Sequence, residues 1–135
     1  MSGYFQKILI VDDDSVDRFI LKKTIQRTGI CNDILEAETG TEALKMLRDI
    51  SAGKEALPDL IFLDINMPLL NGFEFLNAPK QHKDFHVVVI CSIRDEMERQ
   101  HALEYDRVIN YLVKPVLAEQ LIKLAHRLQN AQVVK

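Results

Sequence analysis

The stretch Leu60-Ile61-Phe62-Leu63-Asp64-Ile65-Asn66-Met67-Pro68 decides how the rest of the chain is read. It begins as an unbroken apolar run, the pattern of a strand buried on both faces. A lone carboxylate, Asp64, interrupts the run. Met67-Pro68 follows, and proline has no N–H with which to continue a ladder. An acid therefore stands at the carboxyl end of a central strand, where α/β sheets place ligands and chemistry. Asp64 could equally be a simple strand terminator, and the other strands have to decide.

Lys7-Ile8-Leu9-Ile10-Val11 is a first strand that runs into Asp12-Asp13-Asp14. Asp33-Ile34-Leu35-Glu36-Ala37 is a shorter, weaker second strand. His86-Val87-Val88-Val89-Ile90-Cys91 ends at Ser92, and Val108-Ile109-Asn110-Tyr111-Leu112-Val113 ends at Lys114-Pro115. Helical segments lie between. Asp14 or Ser15 caps the first, in which Val16, Phe19, Ile20 and Thr24 recur at helical spacing and Gly29 is the stop signal. Thr41 is placed to cap the second, which carries Ala43, Leu44 and Leu47, and residues 51–55 read as a polar connection. Asn71-Gly72 reads as a turn before a helix with Phe73, Phe75 and Leu76. Pro79 must cut that helix short, because an interior proline costs about 3 kcal/mol. Residues 95–105 form a charged helix with few apolar anchors. Leu117, Leu121, Leu124, Ala125 and Leu128 stripe the last helix.

Strands alternating with helices imply a doubly wound α/β fold with a five-stranded parallel sheet, right-handed crossovers and helices on both faces. All strand C-termini then point one way. Asp12, Asp13, Asp64, Ser92 and Lys114 converge on one rim although they are far apart in sequence. Neighbouring carboxylates repel, by about 4 kcal/mol per pair at 4 Å and an effective dielectric near 20. A hard cation such as Mg²⁺ would offset that repulsion. Lys114 adds a point charge suited to phosphate, and Ser92 adds a hydroxyl donor. Together these groups suit phosphoryl transfer to an aspartate, giving an acyl phosphate.

Composition narrows the classes. The 135 residues suggest one domain over 1–135 with a core at about 7–128, and 47% apolar with 27% charged residues is ordinary for a soluble globular chain. A net charge of −3 does not favour nucleic acid, and no apolar run approaches the roughly 20 residues of a membrane span. The N-terminus lacks a signal-peptide layout, so a cytoplasmic location is expected. Cys31 and Cys91, without a C-x-x-C spacing, read as two free thiols in a reducing compartment.

The chain resembles the receiver domains of two-component response regulators. The matching residues are Val11-Asp12-Asp13, Leu63-Asp64-Ile65-Asn66-Met67-Pro68 with Asn71-Gly72, Ser92, and Tyr111-Leu112-Val113-Lys114-Pro115. Each motif alone is weak, but their order and spacing together are specific. The resemblance implies the flavodoxin-like (βα)5 fold with strand order 2-1-3-4-5. It implies a phosphoacceptor, self-catalysed at most, and not an enzyme proper. Asp64 would receive the phosphoryl group. Asp13 would bind Mg²⁺ directly, Asp12 partly through water, and Asn66 through its backbone carbonyl. Lys114 would contact the phosphoryl oxygens, with a cis bond before Pro115. Ser92 would move toward the phosphate, and Tyr111 would change rotamer as the surface of helix four, strand five and helix five rearranges. The partners would be a sensor histidine kinase or histidine phosphotransfer protein and a downstream protein target. With no output domain after the fifth helix, the chain reads as a stand-alone receiver that acts by protein binding or relay.

Some positions depart from the family. Ile93 stands where a small residue is usual and is expected to narrow access. Asp106-Arg107 lies where a glycine is common in the turn into strand five. Asn66 and Arg94 flank the site at positions that influence phosphoryl lifetime in the family. Two rivals remain: a haloacid-dehalogenase-like phosphatase, with Asp12 as nucleophile and Asp14 as acid/base in Asp12-Asp13-Asp14-Ser15-Val16, and a receiver-like scaffold that is never phosphorylated. His82 and His86, with Asp84 between them, invite a metal-site reading that the strand start at His86 opposes.

Overall fold

A computed structural model of the chain describes residues 4–53, 56–67, 72–77 and 85–133. Five strands alternate with five helices: β1 (Ile8–Val11), α1 (Ser15–Thr28), β2 (Ile34–Ala37), α2 (Gly40–Ala52), β3 (Leu60–Asp64), α3 (Gly72–Asn77), β4 (His86–Cys91), α4 (Glu96–Leu103), β5 (Val108–Val113) and α5 (Ala118–Val133). Every pairing is parallel, in the order β2-β1-β3-β4-β5. This is the expected flavodoxin-like sheet, with β3 at its centre. Register sets Val11 beside Leu63 and Asp64 beside Ile90, so the residues that follow β1 and β3 emerge together.

The period of two along a strand divides the core. Leu9, Val11, Ile61, Leu63, Val87 and Val89 face α2, α3 and α4, meeting Leu47, Phe75, Leu76 and Ala102. Ile8, Ile10, Leu60, Phe62, Val88 and Ile90 face α1 and α5, meeting Leu21, Ile25, Leu121 and Leu124. β3 is buried throughout, which is why its sequence does not alternate. Phe62 is the largest fully buried side chain. Phe62→Ala is expected to cost about 3–5 kcal/mol, read as a fall in the urea midpoint.

Helix ends follow local chemistry. Asp14 caps α1 by accepting from Val16 and Asp17 N–H, and Gly29 closes it at φ 74°, a left-handed geometry that suits glycine. Thr39, not Thr41, caps α2, because the helix already begins at Gly40. The Thr39 hydroxyl accepts from Glu42 N–H, and Glu42 in turn accepts from Glu38 N–H. Gly72 belongs to α3 and not to a turn, and α2 extends through residues 51 and 52. Lys54, Glu55, Asn71, Pro79, His82 and Asp84 lie outside the described residues.

The α1 stripe is corrected most. Val16, Phe19 and Ile20 are exposed, at 62%, 59% and 44%, while Arg18, Leu21, Thr24 and Ile25 are buried. The helix turns this face inward because the Arg18 guanidinium is satisfied there. It donates to the Asp12 carbonyl at 2.7 Å and pairs with Glu36 at 3.2 Å. Leu117 is likewise exposed and precedes α5, its N–H held by the Gln120 side chain. The turn at Asp106-Arg107 needs no glycine, since no non-glycine residue among those described has a positive φ. The Arg107 carbonyl accepts from Val87 N–H, and its guanidinium lies over the Phe85 ring. Cys31 and Cys91 are free and buried, and no described helix is long and apolar enough to cross a membrane.

Candidate functional site

The rim at the strand C-termini gathers the expected groups. Carboxylate oxygens of Asp12, Asp13 and Asp64 lie within 4.8 Å of one another. Asp12 and Asp64 are buried, and Asp13 is exposed. Local hydrogen bonds hold two of them: Asp12 Oδ1 accepts from Asp14 N–H at 2.9 Å, and Asp64 Oδ1 accepts from Asn66 N–H at 2.9 Å. Arg18, gripping the Asp12 carbonyl, braces the backbone beneath. This set of hard oxygens at short separation fits a magnesium ion. Among the described residues it is the one acidic cluster that could hold a cation.

Lys114 reaches the cluster from the end of β5. Its Nζ lies 2.8 Å from Asp12, 2.9 Å from Asp17 and 3.0 Å from Asp64. The peptide bond to Pro115 is cis, as the resemblance implies. Burial alone would strip charge from this ammonium, but its hydrogen bonds to the carboxylates of Asp12, Asp17 and Asp64 outweigh that and raise its pKa above the usual 10.5. Asp12 moves up from 3.8, because desolvation exceeds the help of Lys114 and the Asp14 amide. A carboxylate with a raised folded-state pKa is most compatible with the fold in acid, and that contribution is lost as pH rises through the raised value. Asp12→Asn, which leaves Lys114 paired with Asp17 and Asp64, is therefore expected to raise the melting temperature of the metal-free protein at neutral pH. Thermal unfolding across pH checks this, and the gain should vanish below the ordinary carboxylate value of 3.8.

Ser92 sits at the end of β4, exposed, on the wall of a cavity of about 400 Å³. Asp12, Asp17 and Lys114 share its polar end, while Ile20, Leu21 and Val116 line the apolar part. Ile93 is 80% exposed and does not line this cavity, so the expected narrowing does not come from its side chain there. Asp14, acid/base in the phosphatase reading, is occupied as a helix cap.

Tyr111 is buried, pointing in from β5. Its hydroxyl donates to Glu98 Oε1 at 2.7 Å and accepts from Asp95 N–H at 3.3 Å. Burial, then hydrogen bonding with Cys91 and Glu98, pushes its pKa well above 10. Tyr111→Phe is expected to cost about 1 kcal/mol in urea unfolding, the net worth of one such hydrogen bond, since half-exposed Glu98 can rehydrate.

Two side-chain contacts of these groups escaped the sequence. Asp17 looked like an ordinary acid in the first turn of a helix, and Glu98 like part of a solvated charged face. Nothing local marks either pair, because each partner lies on another element of the fold.

Comparison with known proteins agrees with this geometry. The chain is 37% identical over 122 residues to a chemotaxis protein CheY homolog of Campylobacter jejuni, covering 85% of this chain and 88% of that protein. It is 30% identical over 123 residues to the sensor histidine kinase CheAY of Helicobacter pylori, covering 89% of this chain but spanning only 14% of that kinase. A two-component response regulator from Cytophaga hutchinsonii superposes with a TM-score of 0.86 at 29% identity, over 93% of this chain and 98% of the other. Receiver domains are signalling modules and not enzymes in the usual sense. Residues 8–126 match the model of the response regulator receiver domain, and the chain belongs to that family.

Proposed function

We propose that Asp64 is the phosphoacceptor of a Mg²⁺-dependent signalling switch, within one receiver unit spanning about residues 7–128. The observation that carries this reading is the Lys114 ammonium, 3.0 Å from Asp64 Oδ2, beside the Asp12/Asp13/Asp64 cluster. The donor is a phosphohistidine on a sensor histidine kinase or histidine phosphotransfer protein. A carboxylate oxygen of Asp64 attacks phosphorus, an O–P bond forms, the N–P bond breaks, and the imidazole leaves with the electron pair and takes up a proton. Lys114 and the Ser92 hydroxyl neutralise the phosphoryl oxygens. Asp12, Asp13, Asp64 and the Asn66 carbonyl would hold the metal, which supplies charge neutralisation on that phosphoryl group.

The exposed apolar residues Val16, Phe19 and Ile20 of α1 support a protein donor, because Ile20 also lines the cavity beside the site. Output would pass through Tyr111 to the α4-β5-α5 surface, either for a downstream protein or by return of the phosphoryl group to a histidine in a relay. The buried Tyr111–Glu98 contact supports that route by giving the surface a bond to release. The test is to incubate the chain with a small phosphodonor and Mg²⁺ and map the base-labile adduct by mass. An adduct on Asp64 is expected. An adduct on Asp12 with steady turnover of phosphomonoesters would replace this reading with a phosphatase.

A further inference from the structure

We infer that Asp17 tunes the anion affinity of the phosphoryl-transfer site: its carboxylate occupies one N–H of Lys114 and lowers the site's affinity for anionic phosphodonors. The inference rests on the receiver reading of Asp64. An ammonium has three N–H groups. Lys114 donates to Asp17 at 2.9 Å and to Asp64 at 3.0 Å and lies 2.8 Å from Asp12, so three carboxylates crowd it. An incoming phosphoryl oxygen must share or displace one of these acceptors. Asp12 and Asp64 belong to the acidic cluster whose charge a cation there would offset, and Asp17 does not. Its charge instead faces the cavity that Ser92 and Lys114 also line, so an anion approaching Lys114 from that side meets it.

The side chain is 35% exposed, so solvent and salt moderate its field without removing it. A merely structural Asp17 would act through the N-terminus of α1, where an acid is favourable. That role would alter the melting temperature and leave donor affinity unchanged. Capping itself is already performed by Asp14.

The experiment measures initial rates of Asp64 phosphorylation against acetyl phosphate concentration in the full chain with Mg²⁺. Asp17→Asn, which keeps an oxygen acceptor but loses the charge, is expected to lower the half-saturating concentration roughly three- to tenfold. The gain should shrink in about 1 M salt, where the Debye length is near 3 Å. Asp17→Glu keeps the charge and should keep the original half-saturation. In parallel, binding of inorganic phosphate is followed by the NMR signal of the Lys114 ammonium and should tighten in Asp17→Asn by a similar factor.

An adduct on Asp64 with unchanged half-saturation in Asp17→Asn would overturn the inference and leave the receiver reading standing. So would a folded Asp17→Asn that is phosphorylated more slowly at every donor concentration. Absence of any adduct in the unaltered chain would instead remove the phosphoacceptor reading of Asp64 and favour the receiver-like scaffold. The phosphate titration would then decide the charge effect by itself, tighter binding supporting it and equal binding overturning it.

Discussion

Asp64→Asn is expected to abolish the acid-labile, base-labile adduct while leaving the fold intact. The substitution is nearly isosteric. The amide keeps an oxygen that accepts from Asn66 N–H, the contact that shapes the turn after β3. What it loses is the charge and nucleophilicity of the carboxylate, because an amide oxygen is a far weaker nucleophile toward phosphorus. Lys114 keeps Asp12 and Asp17 as partners, so the ammonium remains compensated. Phosphate incorporation should fall to background with every donor, and amide NMR shifts should change only near the rim. Labelling that persists on another residue of the variant would show that Asp64 is not the acceptor.

Lys114→Met should give the next largest effect, on two observables at once. Removing a positioned cation from a site of developing negative charge typically costs about 10²–10³ in rate, so phosphorylation should slow by that order. Stability should also fall. Asp12 and Asp64 are buried, and stripping a buried ion pair of one partner costs about 3–5 kcal/mol. Part of that loss should return on adding Mg²⁺ and part in acid, because each supplies positive charge or protons to the same oxygens. Thermal unfolding with and without Mg²⁺ at several pH values measures this. In the unaltered chain the sign at alkaline pH is opposite to that of a depressed carboxylate. The Lys114 pKa is raised above 10.5 by the fold, so its contribution is complete below that value and is lost as pH climbs through the higher one.

Much of the architecture was legible in the sequence because buried parallel strands are continuous apolar runs. β4 and β5 were bounded at the residues where they begin and end, His86–Cys91 and Val108–Val113. The convergence of Asp12, Asp13, Asp64 and Lys114 followed from topology, since parallel strands put all their C-termini on one rim. The strand order itself came from family resemblance. Helix faces were harder. In α1, Arg18 was passed over as a core residue because its charge suggests solvent, yet the Asp12 carbonyl and Glu36 satisfy it inside. Once Arg18 turns inward, Phe19 and Ile20 must turn outward. Asp17 was missed for a related reason: its partner Lys114 lies 97 positions away, and nothing local marks the pair.

The Tyr111–Glu98 contact has an optical consequence. The chain has no tryptophan and three tyrosines, so its intrinsic ultraviolet emission is tyrosine emission. Of these, Tyr111 is buried with its hydroxyl on a carboxylate, whereas Tyr4 and Tyr105 are partly exposed. A phenol bound to a carboxylate is quenched, because the excited state readily yields its proton to the acceptor. Release of Tyr111 from Glu98 should therefore brighten the protein near 300 nm, making the unlabelled chain its own fluorescent reporter of the state of this bond.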